Sequence, residues 1–147
     1  QSEGELRVQI YEDKGQGFSE ENSYFPENVY VAEKEAEFTV KFDGNVHYLR
    51  LDPAMCSCVC KIKELIMNDQ PVPVQDKKLF TSNGKILKSE DGAEHPSMVF
   101  YTEDPNMTIR VDALDRRAEN VLQVKMEIVP IPVNIAKDMA GNVKKFF

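Results

Sequence analysis

The chain has 147 residues, 41% hydrophobic and 29% charged, which fits a single folded domain and excludes a disordered polyelectrolyte. Its 18 basic and 25 acidic residues give a formal net charge of −7, spread along the sequence, which argues against nucleic-acid backbones and anionic membranes as partners. No apolar run approaches the roughly 20 residues of a membrane-spanning helix, so no membrane span is expected.

The sequence begins at Gln1 with no initiator Met and no basic-then-apolar leader, which reads as either a chain whose leader has been removed or, the preferred reading, a piece cut from a longer polypeptide. Leu6, Val8 and Ile10 alternate with Arg7 and Gln9, the period of a half-buried strand. A polar stretch from Asp13 to Ser23, with Gly15 and Gly17, marks a surface loop. Tyr24, Phe25 and Tyr30 flank Pro26 and predict a short edge segment. Phe38, Val40 and Phe42 form the next strand, and Asp43-Gly44-Asn45 predicts a hairpin into a return strand from His47 to Asp52.

Cys58 to Asn68 is the longest predicted strand. Val72, Val74, Leu79 and Phe80 mark short strands around Asp76-Lys77-Lys78, and Ser89 to Pro96 is a loop. Met98–Tyr101 and Met107–Val111 are predicted to pair across a turn at Thr102–Asn106. Asp115 to Asn120 is a polar loop or helical turn, and Leu122, Val124, Met126 and Ile128 close the series of alternating strands. From Asn134 the period changes: Ile135, Met139, Val143 and Phe147 fall four apart, with Asn134 placed to cap a C-terminal helix. Such a helix is either a connector to a further domain or a segment folded back on the sheets.

The three cysteines, Cys56, Cys58 and Cys60, are neighbours on one strand. At ~3.3 Å rise per residue their spacing and direction suit neither a disulfide nor a structural zinc site. They are expected to be reduced, inert and buried, in a cytoplasmic protein. His47 and His95 are far apart in sequence and no nucleophile, metal-helix or phosphate-loop motif accompanies them, so no catalytic residue, metal or cofactor is predicted. The acidic pairs Glu12-Asp13, Glu20-Glu21 and Glu103-Asp104 read as solvated loop charge. Aromatic rings gather around the first loop beside acids able to accept hydroxyl hydrogen bonds. Tyr11, Asp13, Phe18 and Tyr24 are the candidate carbohydrate-binding residues, against the plainer alternative of core and edge packing.

Three segments carry a family resemblance: Val8-Gln9-Ile10-Tyr11-Glu12-Asp13 with Gly15 to Ser23, Leu49-Arg50-Leu51-Asp52-Pro53 leading into Cys58 to Lys63, and Phe100 to Asn106. Over residues 6 to 130 the chain resembles the β-sandwich accessory domain of bacterial cell-surface polysaccharide enzymes. These are mainly family 2 glycosyltransferases and rhamnan-synthesis proteins, and sometimes sugar-pathway methyltransferases. The chain departs from the family at Cys56 to Cys60, where relatives carry Gly, Pro or aliphatic residues.

The alternating strands predict an all-β fold, an antiparallel β-sandwich over residues 1–132, which the resemblance implies is of jelly-roll, galactose-binding-like type; the helix expected from the spacing follows over residues 133–147. The resemblance implies a non-catalytic module that binds glycan or positions the glycosyltransferase catalytic domain of the same polypeptide. The alternative, from a different class, is a structural or protein-interaction module that binds no sugar.

Overall fold

The computed structural model describes residues 6–27, 29–87 and 96–132. His95 and the C-terminal helix expected over residues 133–147 lie outside them. Twelve strands form the described fold: β1 (Gln9–Asp13), β2 (Ser23–Tyr24), β3 (Tyr30–Ala32), β4 (Glu35–Asp43), β5 (Tyr48–Asp52), β6 (Cys58–Met67), β7 (Gln70–Pro71), β8 (Phe80–Ser82), β9 (Lys85–Leu87), β10 (Ser97–Phe100), β11 (Met107–Ile109) and β12 (Glu119–Pro130). They make two antiparallel sheets. The five-stranded sheet has the order β2-β1-β5-β11-β8, and the larger has β3-β4-β12-β6-β10-β9 with β7 added beside β6. This is the all-β antiparallel sandwich that the alternation predicts.

The inner faces meet in one core. Ile10, Leu49, Leu51, Met107 and Ile109 from the smaller sheet pack against Val40, Cys60, Met98, Phe100, Leu122, Met126 and Ile128 from the larger. Burial of this apolar surface, at ~25 cal/mol per Å², is the main force holding the sheets together. The strict alternation of β4 and β12, buried at every second residue, is the consequence.

In β6 the alternation slips: Cys58, Cys60 and Ile62 are buried, then Leu65 and Met67, with Lys63 and Glu64 both turned outward. The register with β12 shifts at this point, Lys125 opposing Glu64 and Met126 opposing Ile62, so Lys63 is the extra residue of a β-bulge. The bulge returns Leu65 to the core side.

Two predicted hairpins are different objects. The Asp43-Gly44-Asn45 turn closes locally, with the Val46 amide 3.2 Å from the Asp43 carbonyl. It nevertheless carries the chain from β4 in one sheet to β5 in the other, and β5 pairs with β1 and β11 instead. Likewise Thr102–Asn106 joins β10 and β11, which lie in opposite sheets. A turn motif sets a local reversal, whereas the sheet a strand joins is decided by which core face its apolar residues fill. The longest strand is β12, not β6, and its start absorbs Glu119 and Asn120 from the expected polar loop. Val72 and Val74 fall outside the strands, and Val111–Ala113 is a short 3-10 turn.

No helix among the described residues is long and apolar enough to cross a membrane.

Candidate functional site

The outer face of the five-stranded sheet is polar and organised around Arg50. Leu49 and Leu51 fill the core, so Arg50 and Asp52 must point the other way. The antiparallel register sets Arg50 between Tyr11 of β1 and Thr108 of β11, and Asp52 opposite Gln9. The Arg50 guanidinium donates from Nε and Nη2 to the two Asp52 carboxylate oxygens, both at 2.8 Å. It lies 4.3 Å from the Tyr11 ring centroid and 5.9 Å from that of Phe18. Tyr11 and Phe18 meet edge to face with centroids 6.4 Å apart. Asp104, far more exposed, comes within 4.0 Å of Arg50 from the β10–β11 turn.

Glu20 closes the other side. The Tyr11 hydroxyl donates to Glu20 Oε1 at 2.8 Å, and Gln9 Nε2 donates to Glu20 Oε2 and to Ser23 Oγ, each at 3.1 Å. Glu20 is exposed loop charge, as expected, and also the acceptor that closes this rim of the sheet. Burial, then the hydrogen bond to Glu20, pushes the Tyr11 phenol up to about 12. Burial also raises the Asp52 carboxyl, against the opposing pull of Arg50. The Arg50 guanidinium is itself raised, chiefly by its hydrogen bond to Asp52.

Of the four candidate sugar-binding residues, the fold brings Tyr11 and Phe18 together. Asp13 supports them from behind: its Oδ1 accepts from the Gly15 amide at 2.7 Å and the Gly17 amide at 2.9 Å. Both glycines have positive φ, +113° and +83°, which a Cβ would strain. Asp13 therefore shapes the loop that delivers Phe18. Tyr24 lies in register with Ile10 and so faces away from Tyr11, on the side of Glu12. Burial, then the Glu12 charge, raises its phenol to about 12.

Sequence reasoning passed over Arg50, Glu20 and Gln9 as members of this face. The signal available for Arg50 was its spacing from Asp52, two apart on a strand and flanked by leucines.

Elsewhere, His47 Nδ1 lies 3.1 Å from Asp112 Oδ2, and Arg110 Nε donates to Asp112 Oδ1 at 3.1 Å. This trio ties the start of β5 to the 3-10 turn after β11. Cys58 and Cys60 point into the core, Cys56 is buried beside them, and none is in a disulfide. Burial pushes the Cys58 thiol up to about 12 and Cys60 further still, and Cys60 Sγ contacts Met126 Sδ at 3.5 Å. Among the described residues no group of three or more His, Cys, Asp or Glu is placed to hold a metal ion.

On the Arg50 face the guanidinium is engaged by Asp52 and the Tyr11 hydroxyl by Glu20; the Tyr11 ring is buried, and Phe18 is half-buried beside it. That geometry suits reversible recognition of hydroxyl-bearing surfaces, with the exposed Glu20 and Asp104 as polar contacts and Phe18 as the apolar one. No protein-family model, curated protein or solved structure matches this chain.

Proposed function

We propose that this chain is a non-catalytic accessory module of a bacterial glycosyltransferase of cell-surface polysaccharide synthesis, acting in the cytoplasm. In this role it holds glycan on the outer face of the five-stranded sheet and so positions acceptor for the catalytic domain of the same polypeptide. The observation that carries the reading is the grouping of Tyr11 and Phe18 with Arg50, Glu20 and Gln9 on one rigid sheet face. Aromatic edges beside fixed hydrogen-bond acceptors are what a sugar ring, apolar on its C–H face and polar at its rim, requires. The segments that carry the family resemblance, Val8 to Ser23, Leu49 to Lys63 and Phe100 to Asn106, supply most of this face.

The test is titration of isotope-labelled protein with bacterial surface polysaccharides, rhamnose-containing ones included. Shifts confined to Gln9, Tyr11, Phe18, Glu20 and Arg50 support a glycan-binding module. Silence from the folded protein across the panel overturns it.

A second reading, a protein-interaction module, has its own observation. Val129, Leu87 and part of Val59 present apolar surface on the outer face of the larger sheet. A partner docked there would leave the Arg50 face untouched.

A further inference from the structure

The turn Thr102–Asn106 joins β10 to β11 across the two sheets and brings the Asp104 carboxylate to 4.0 Å from Arg50 Nη2. The Asp104 side chain is 75% exposed, so the shape of its backbone, and not packing, sets where the carboxylate stands. That backbone is fixed by Asn83, from the corner between β8 and β9. The Asn83 amide donates to the Asn106 carbonyl at 3.2 Å, one step past the last pair of β8 with β11, Ser82 with Met107. Its side chain then continues the ladder: Oδ1 accepts the Asn106 amide at 2.9 Å and Nδ2 donates to the Asp104 carbonyl at 2.8 Å. A carboxamide offers an acceptor and a donor side by side, as a peptide group does; an ionised Asp has no donor and Ala has neither. Within the turn the Asp104 amide donates to Thr102 Oγ1 at 3.1 Å, and Asn106 Nδ2 donates to the Asp104 carbonyl at 3.2 Å. At the other end Ser57 Oγ donates to the Thr102 carbonyl at 3.1 Å. Connecting loops are ordinarily the mobile part of a sandwich, and this one is tied from both sides.

We infer that Asp104 is the specificity-determining contact of the Arg50 face and that Asn83 positions it, so that the face takes sugar residues donating hydroxyl hydrogen bonds and rejects those carrying a carboxylate. The inference rests on the glycan reading above and names the class of glycan. The Arg50 guanidinium is only 22% exposed and is held by both Asp52 oxygens, so its charge is already matched. Asp104, from the β10–β11 turn, and Glu20, from the loop between β1 and β2, are then the exposed charged groups beside Tyr11 and Phe18. Both are acceptors. An ionised carboxylate bonds a sugar hydroxyl, cannot donate in return, and repels a second anion. Such charge-assisted bonds are stronger than neutral ones, and they favour binding most when the charge is held in place before the ligand arrives. The Asn83 clamp supplies that preorganisation from a strand edge that does not itself touch Arg50.

The experiment is calorimetric titration of a neutral rhamnan oligosaccharide, and of an oligogalacturonate as the carboxylated probe, into the whole chain and its variants. The parent should bind the rhamnan and not the oligogalacturonate. Asp104→Ala should weaken rhamnan binding about tenfold, and Asn83→Ala about three- to tenfold. The double variant should bind as Asp104→Ala alone does, because Asn83 acts through Asp104; a role confined to stability would not produce that coupling. Without ligand, the Arg50 Nε–H resonance should move in Asn83→Ala in the same direction as in Asp104→Ala. Glu103→Gln removes a charge from the same turn without touching the clamp and should bind as the parent does. Rhamnan binding unchanged by Asn83→Ala, losses that add in the double variant, or oligogalacturonate bound as tightly as the rhamnan overturns this inference and leaves the glycan site standing. A folded parent that binds neither probe overturns the glycan reading itself, and this inference with it.

Discussion

Asp112 accepts hydrogen bonds from His47 and Arg110, and although burial works to raise its carboxyl, these contacts outweigh burial and hold it below the ordinary 3.8. A carboxyl lowered in the folded state stabilises fully above its unfolded value, and that contribution is lost as pH falls through the folded one. Asp112→Asn should therefore lower Tm at pH 6, and the gap to the parent should narrow as pH falls from about 4 towards 2. Thermal melts across that range check it, and a gap that stays constant contradicts it. Asp52 and Glu12 have the opposite sign, since burial raises both and their ionisation costs stability as pH rises.

The thiols give a second residue-scale test. Burial keeps Cys58 and Cys60 protonated well above the ~8.5 of an exposed thiol. A thiol reagent at pH 8 should label them on the timescale of unfolding, and all three cysteines at once in denaturant. Rapid labelling of Cys58 or Cys60 in the folded protein contradicts their placement.

The corner where β4 leaves the larger sheet shows how local elements are locked. Asn120, 1% exposed at the head of β12, accepts the Arg117 amide at 2.7 Å and Asn68 Nδ2 at 2.9 Å, and its own amide donates to the Arg117 carbonyl at 2.8 Å. Asn68, with φ +49°, reciprocates by accepting the Val121 amide at 2.9 Å and donating to the Asp115 carbonyl at 2.8 Å. The pair satisfies a loop whose backbone would otherwise be stranded. Asn120→Ala should cost about 1–3 kcal/mol, the penalty of leaving buried partners unpaired, in denaturant unfolding. Gly44 faces this loop so closely that a Cβ would stand 2.7 Å from the Arg117 carbonyl oxygen. Gly44→Ala should destabilise by about 1–3 kcal/mol, the range for forced overpacking.

This corner also marks what the sequence could and could not reveal. Alternation located β4 and β12 and identified their core residues because one face of each is buried, whereas β5 was placed only as the return from a turn. Alternation could not assign partners, so Asp43-Gly44 read as a hairpin although β5 pairs with β1 and β11. The polar run ending in Glu119-Asn120 read as loop because nothing local shows that Asn120 has buried partners. The bulge at Lys63 was not read from the sequence, where Cys58 to Asn68 appeared as one uninterrupted strand. On the candidate face, Tyr11 and Phe18 were legible as aromatics near a loop. Arg50 was not, since its role depends on a register between strands roughly forty residues apart.

At the scale of the whole molecule, the two outer faces have different chemistry. One is polar and built around Arg50, and the other is apolar near the exit of β12. A rigid sandwich can carry both without either altering the other, since the core separates them. The separation predicts that lesions on one face leave the other's contacts intact.

The most direct measurement is calorimetric titration of a rhamnose-containing surface polysaccharide into the parent chain, Phe18→Ala and Val129→Asp. Phe18 sits in an exposed loop, so its loss removes an aromatic contact worth ~1–1.5 kcal/mol and should weaken binding about five- to tenfold. Val129→Asp, on the opposite face, should bind as the parent does. Binding unaffected by Phe18→Ala, or abolished by Val129→Asp, would contradict the assignment of the glycan to the Arg50 face.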